Sequence, residues 1–327
     1  MSLSDTLPSG ATPASPPVFG RIAIVGSGSI GLYYGGRLAL AGNDVRFLVR
    51  SDRDAIHHRG IFLKEGDSED VVYPAQGYAT AEELGPVDLV LITLKTTAND
   101  QLAALLPPLV HANTLVVTLQ NGLGNEDLLA TLVPAENVVG GLCFIASTRT
   151  APGEVTCFQR GSITFGERGG PATDRARALG ALFEHAGIPN RVVDQLEDAR
   201  WRKMVWNIPF NGLSIAAGGI TTDVICADPR LVSEVQALMD EVRAGAAALG
   251  YVIPASFAHK QLEVTPSMGA YQPSSLVDFL AKRPVEVEPI WGEPLRRAKA
   301  AGAHVPKMEF LYALLKQLTR TDKEATP

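Results

Sequence analysis

The sequence predicts two unlike halves, an α/β half followed by an all-helical half. Three observations carry this. A short apolar run, Ile22 to Val25, leads directly into Gly26-Ser27-Gly28-Ser29-Ile30-Gly31. A Leu- and Ala-rich stretch closed by Gly42-Asn43 then leads to a second apolar run ending at Arg50. From about Asp194 onward strand-like runs disappear and helical periodicity takes over.

Strand, G-x-G-x-x-G, helix and second strand in that order give the glycine spacing its meaning. Gly26 makes the tight turn, Gly28 lets the backbone approach a pyrophosphate, and Gly31 lets the helix pack closely on the strand. The free N–H groups and positive dipole end of the helix hold the phosphates, so Ser27, Ser29 and Ile30 belong to the same phosphate-binding turn. The fold class is therefore an α/β N-terminal Rossmann-type dinucleotide-binding domain followed by an all-α C-terminal domain. A carboxylate ending the second strand would favour NAD, whereas an Arg accommodates a 2′-phosphate. This strand runs out into Arg50, with Ser51 and Arg53 beyond, so NADPH is the expected cofactor. Asp44 lies at the start of the strand, far from that site; Asp52 lies in the turn, where sequence leaves its direction open.

The remaining elements follow in order. Ile61–Leu63 and Val71–Tyr73 could pair as a small hairpin. Asp88 to Leu94 reads as a buried strand that delivers Lys95 to the carboxyl edge of the sheet, where ligands bind in open parallel sheets. A helix is expected from about Asn99 to Leu106, stopped by Pro107-Pro108. Thr114–Thr118 is the next strand and brings Gln120-Asn121-Gly122 to the same edge. Val138 to Ile145 reads as a strand, 154–158 and 162–166 as hairpin-like segments, and Ala172 to Ala186 as a helix. Helices are then expected over 195–208, 229–250, 254–264, 274–282, 285–302 and 307–319. Residues 1–19, rich in Ser, Pro, Thr and Ala, are expected to be a disordered tail. That leaves 20–193 as the nucleotide domain and 194–327 as a helical substrate and dimerisation domain.

Composition excludes several classes. The 327 residues are 46% hydrophobic and 20% charged, as in a soluble globular chain, and the formal net charge of −6 argues against nucleic acid and anionic membrane surfaces as partners. No apolar run reaches the length of a membrane span. Cys143, Cys157 and Cys226 are far apart and in no metal-ligand spacing, so they read as reduced thiols of a cytoplasmic protein that needs no metal.

The helical half opens with Trp201-Arg202-Lys203 and continues through Asn207, Pro209 and Asn211. Lys203, Asn207 and Asn211 are spaced i, i+4, i+8 and so line one helix face. Pro209 should kink that helix. Ser274 and Ser275 follow Pro273 before a Leu-rich run, as a helix N-cap would. Pro284 near a helix start should place Glu286 in the first turn, where a carboxylate is favoured whatever its function.

Taken together, Gly26-x-Gly28-x-x-Gly31, Thr-Leu-Lys95, Gln-Asn121-Gly122, Trp-Arg-Lys203-x-x-x-Asn207-x-x-x-Asn211, Pro-Ser274-Ser275, Arg-Pro-x-Glu286-x-Glu, Leu295-Arg-Arg-Ala and Gly302-x-x-x-Pro306 resemble the ketopantoate reductase family, in order, over about residues 20 to 320. The resemblance implies reduction of the 2-keto group of ketopantoate by NADPH, giving D-pantoate for pantothenate and coenzyme A synthesis. It implies that Lys203 is the general acid and that Glu286 assists beside substrate and cofactor. It implies that Asn207, Asn211 and Ser274 bind substrate, and that Lys95 and Asn121 contact the cofactor. Ser274 follows from its distance to Asp278; a shift of one residue would select Ser275. Thr221 and Tyr271 stand where some members carry amides. The other readings are a paralogous reductase of another small 2-keto acid and a non-catalytic NADP(H) sensor. A homodimer is plausible by analogy.

Overall fold

The computed structural model describes residues 19–320. All but the last position of the expected tail, 1–19, lies outside the described residues, as do residues 321–327. Ten strands among the described residues form one mixed sheet: β1 (Arg21–Val25), β2 (Asp44–Leu48), β3 (Ile61–Glu65), β4 (Ser68–Val72), β5 (Gln76–Tyr78), β6 (Leu89–Ile92), β7 (Leu115–Thr118), β8 (Val138–Ala151), β9 (Glu154–Glu167) and β10 (Asn190–Val193). Their order is β4-β3-β9-β8-β7-β6-β1-β2-β5, with β10 beside β9. From β8 across β1 to β5 every neighbour is parallel; β3–β4 and β8–β9 are antiparallel.

The central strands are apolar on both faces because each face meets its own core. Ile22, Ile24, Leu89, Leu91 and Val117 point to one cluster, with the helix Ser29–Leu40 and Phe165. Ala23, Val25, Val90, Ile92 and Val116 point to the other, with Leu102, Leu106 and Leu129. Such strands carry no polar alternation and read as continuous apolar runs. The expected hairpin at 61–73 is present as β3 and β4.

Three expectations need correction. The segments 154–158 and 162–166 do not form their own hairpin; they are two stretches of the single strand β9, which pairs along its length with β8. Between them Gly161 is a bulge, with φ +57° and a carbonyl so close that a Cβ would lie 1.5 Å from Phe144 O. The helix expected from Asn99 begins earlier, as a 3₁₀ turn at Thr96–Gln101 running into Leu102–Leu105, so Lys95 sits at its entrance. The helix expected from 285 starts at Glu288 instead. Pro284 disfavours helix at Arg283, and Pro289 fits the first helical turn, so Glu286 lies in irregular chain ahead of the helix.

After Val193 the sheet ends, and from Leu196 every regular element is helical: Leu196–Ala216, Thr222–Ala227, Pro229–Ala248, Ala255–Val264, Ser274–Leu280, Glu293–Ala300 and Pro306–Leu318, with short turns between. The helix Leu196–Ala216 is the axis of this half, burying Trp201, Met204, Val205 and Ile208 against Met239, Val242, Trp291 and Leu311. It runs as one element through Pro209. Gly212 leaves room for the Trp291 indole, whose Nε1 donates to Ile208 O at 3.0 Å, so packing holds the helix together where Pro209 removes an N–H.

Candidate active site

A cleft of about 1100 Å³ runs between the carboxyl edge of the sheet and the helix Leu196–Ala216. Its sheet side is built by the turn after β1. Gly26 takes φ +116°, and a Cβ there would meet the backbone of Leu94 at 2.6 Å. Gly31 lies beneath the turn, where a Cβ would strike Gly26 O at 1.9 Å, so it packs the helix onto the strand and does not line the cleft. Gly28 is different: a Cβ would meet nothing within 4 Å, so the space beside its backbone is open. Gly28 occupies the N-cap position of the helix Ser29–Leu40 without any side-chain cap, which leaves the first-turn N–H groups facing the cleft. Ser27, Ser29 and Ile30 line it as well.

Beyond β2, Arg50 is exposed, lines the cleft and forms no ion pair with another described residue. Asp52, left open by the sequence, is 1% exposed and turned away from the cleft wall.

Across the cleft, Lys203, Asn207 and Asn211 all line the wall, as the i, i+4, i+8 spacing requires. Lys203 Nζ donates to Asn121 Oδ1 at 2.6 Å and to Cys143 O at 2.8 Å, and lies 5.4 Å above the Phe144 ring. Both acceptors are neutral and two of the three N–H donors are used, so one remains for a cleft oxygen. Burial pushes the Lys203 pKa down from 10.5 to about 8, with the Arg200 charge adding to the effect. Asn211 is 1% exposed; its Oδ1 accepts from Ser275 N at 2.9 Å, which frees the amide N–H₂ to donate. Asn207 is 6% exposed and its amide has no partner among the described residues.

That Asn211 bond fixes the start of the helix Ser274–Leu280. Ser274 is exposed and lines the cleft, whereas Ser275 is buried, and Pro273, not a serine, holds the N-cap position. Trp206, Phe257, Val264 and Tyr271 form an apolar wall near these amides. Thr221 is not on the wall; its hydroxyl bonds Asp223.

Lys95 lines the cleft, but its Nζ is tied to Asp278 Oδ2 at 2.9 Å and Glu286 Oε2 at 3.2 Å. Burial works against its charge, yet Glu286 and Asp278 outweigh burial and raise its pKa. Glu286 is 4% exposed and behind the wall: its other oxygen accepts from Thr96 N at 2.8 Å and Thr96 Oγ1 at 2.9 Å. Both oxygens are therefore used inside the protein, one of them on the cleft-lining Lys95. Asn121 lines the cleft, and its side chain holds Lys203.

Arg200 is a residue that the sequence reading missed. Fully buried, it pairs with Glu126 and donates to Gly122 O at 3.1 Å and Gln120 O at 3.4 Å. It thereby clamps the loop that carries Asn121 to the helix that carries Lys203. Its position one turn before Lys203 was a signal in the sequence; its partners were not. Asp278, Thr96 and Arg149 were also missed, because each acts through a contact more than 90 residues away in the chain.

Residues 22–170 match the family profile described as ketopantoate reductase PanE/ApbA, and residues 195–319 match that of its C-terminal domain. The chain is 38% identical to the 2-dehydropantoate 2-reductase of Nostoc sp. over 303 residues, covering 91% of this chain and 95% of the relative. Among solved structures it is similar to 2-dehydropantoate 2-reductase from Geobacter metallireducens GS-15, at 43% identity and TM-score 0.88, covering 91% of this chain and 99% of that one. The same enzyme from Methylococcus capsulatus matches at 34% identity and TM-score 0.85, covering 93% and 99%. The glycine turn, the cleft and the cleft lysine Lys203 thus sit in a framework shared over both halves, and the chain belongs to the ketopantoate reductase family.

Proposed function

We propose that the protein reduces 2-dehydropantoate (ketopantoate) to D-pantoate with NADPH, in pantothenate and coenzyme A synthesis. The observation that carries the reading is Lys203, a half-buried ammonium between two neutral acceptors with one donor left over the cleft. The residues fit a dinucleotide: open space at Gly28, uncapped N–H groups at Ser29 and, on the same wall, Arg50 with no ion pair to another described residue. Gly26, Ser27, Gly28, Ser29 and Ile30 would hold the pyrophosphate and Arg50 the 2′-phosphate, with Lys95 and Asn121 at the nicotinamide end. When bound, reduced nicotinamide supplies a hydride.

Hydride addition leaves negative charge on the ketone oxygen. Lys203 Nζ stabilises that charge and then gives its proton to the oxygen. Asn207, the amide of Asn211 and the Ser274 hydroxyl donate to the substrate carboxylate. Trp206, Phe257 and Tyr271 exclude water around the branched carbon. The two lysines divide the work: Lys95, held by two carboxylates, keeps its charge and shapes the wall, whereas Lys203 gives up its proton readily. We assign Glu286 to holding Lys95 and Thr96, which is how its contacts support a role in the reaction.

The three cysteines are unpaired, in keeping with a cytoplasmic protein. Among the described residues no helix is long and apolar enough to cross a membrane. A homodimer through the helical half fits the exposed row Phe310, Leu314 and Leu318 on one face of the last helix.

The test is nicotinamide oxidation with ketopantoate and with 2-ketoisovalerate, each with NADPH and NADH. Efficient turnover of ketopantoate with NADPH supports the reading. Equal kcat/KM for the two keto acids, or for the two cofactors, overturns the substrate or the cofactor assignment respectively. An Arg50→Ala variant should lose most of the NADPH preference.

A further inference from the structure

We propose that Arg149 is a specificity-determining residue for the nucleotide, acting as a mask over Asp52 so that the loop after β2 presents Arg50 without a competing carboxylate. The inference rests on the NADPH reading above and concerns which residue keeps that preference.

Asp52 stands two residues after Arg50, in the loop where a carboxylate would accept from a ribose hydroxyl. It also occupies the N-cap position of the helix Arg53–Arg59, yet its side chain makes no cap bond. Instead it faces the tip of the β8–β9 hairpin. Arg149 Nε donates to Asp52 Oδ2 at 3.1 Å and Arg149 Nη2 to the same oxygen at 2.6 Å; Gly153 N donates to it at 3.2 Å and Ser51 Oγ to Oδ1 at 2.9 Å. With its oxygens taken by these donors and 1% exposure, the carboxylate has nothing to offer a ribose. Burial pushes its pKa up, but the Arg149 and Ser51 bonds more than offset this and hold it below the usual range, so it stays charged. The hairpin tip is fixed there independently, since Arg59 Nη2 donates to Pro152 O at 3.0 Å and Arg59 Nη1 to Glu154 Oε1 at 2.9 Å.

Arg149 itself lines the cleft beside Arg50 and Ser51, with 36% of its side chain exposed. The arrangement hides a negative charge that would otherwise repel a phosphate and draw Arg50 away from it. Remove Arg149 and the charge remains, unpaired, two residues from Arg50. The harm then comes from Asp52, not from the lost arginine.

That distinction is testable by binding, without turnover. Titration calorimetry on the full-length protein gives Kd for NADPH and NADH in wild type, Arg149→Met, Asp52→Asn and the double variant. Arg149→Met should weaken NADPH by about tenfold or more, the scale of an uncompensated charge, with NADH unchanged or tighter. Asp52→Asn should keep the preference. The double variant, which removes charge and partner together and is thereby the safer one to fold, should return NADPH affinity to within about threefold of wild type. Two results would overturn the proposal: an unchanged NADPH to NADH ratio in Arg149→Met, or a double variant as weak for NADPH as Arg149→Met. The second would make Arg149 a direct phosphate ligand or a strut. Wild type that binds both nucleotides equally sinks the cofactor reading itself, and the mask with it; that failure is seen in the wild-type arm alone.

Discussion

Replacing Lys203 by Arg keeps a positive charge in the cleft and removes the only feature that makes the residue an acid, a proton it can release near neutral pH. Burial has lowered the lysine pKa from 10.5 to about 8. Reduction needs the protonated amine. Since the folded-state pKa is depressed, the proton is present below about pH 8 and is lost as pH rises through that value. One unit above it, only about a tenth of the enzyme remains competent, so kcat for reduction should fall about tenfold per pH unit on the alkaline side. Oxidation of the 2-hydroxy acid needs the neutral amine and should rise over the same range. Guanidinium does not deprotonate in a protein. Lys203→Arg should therefore abolish both limbs and lower kcat by roughly 10²–10⁴, the usual worth of a positioned acid. The assay is nicotinamide absorbance in both directions at saturating substrates, from about pH 6 to about pH 10, a range that brackets the lowered value and stops short of that of an ordinary lysine. An ordinary lysine would leave the wild-type profile flat to about pH 10. A flat profile, or an arginine variant with the same alkaline limb and near-normal kcat, would refute Lys203 as the donor.

Three further outcomes are expected. Ser274→Ala should raise the substrate KM about tenfold, for a hydroxyl bonded to a charged group, with cofactor affinity unchanged; if Ser275→Ala does this instead, the substrate lies on the buried side of that helix start. Glu286→Gln should act mainly on KM, by about three- to tenfold through the released Lys95, and a loss confined to kcat would place Glu286 at the reacting atoms. Gly122→Ala should lower stability by about 1–3 kcal/mol, read as a lower urea midpoint, because φ is +89° and the new Cβ would lie 2.3 Å from Pro289 O; an unchanged midpoint would show that the loop can move away from the helical half.

The chain order of the halves, the glycine turn and the row Lys203, Asn207 and Asn211 were determined by the sequence itself. Each depends on spacing within one element: apolar runs set β1 and β2, and a four-residue interval puts three polar groups on one helix face. Arg50 was legible for the same reason, as the end of a strand. Glu286 was legible as a residue but not as a neighbour: two prolines moved it off the helix, and its partners Lys95 and Thr96 come from the other half of the chain. The segments 154–158 and 162–166 looked hairpin-like because no local pattern separates a chain reversal between them from a bulge in one strand already paired elsewhere. The lowered pKa of Lys203, the clamp of Arg200 on the Asn121 loop and the covering of Asp52 by Arg149 were decided only by tertiary structure. Burial and charge pairing depend on which distant segments meet, and the Asp52–Arg149 contact joins residues 97 positions apart that no local pattern links.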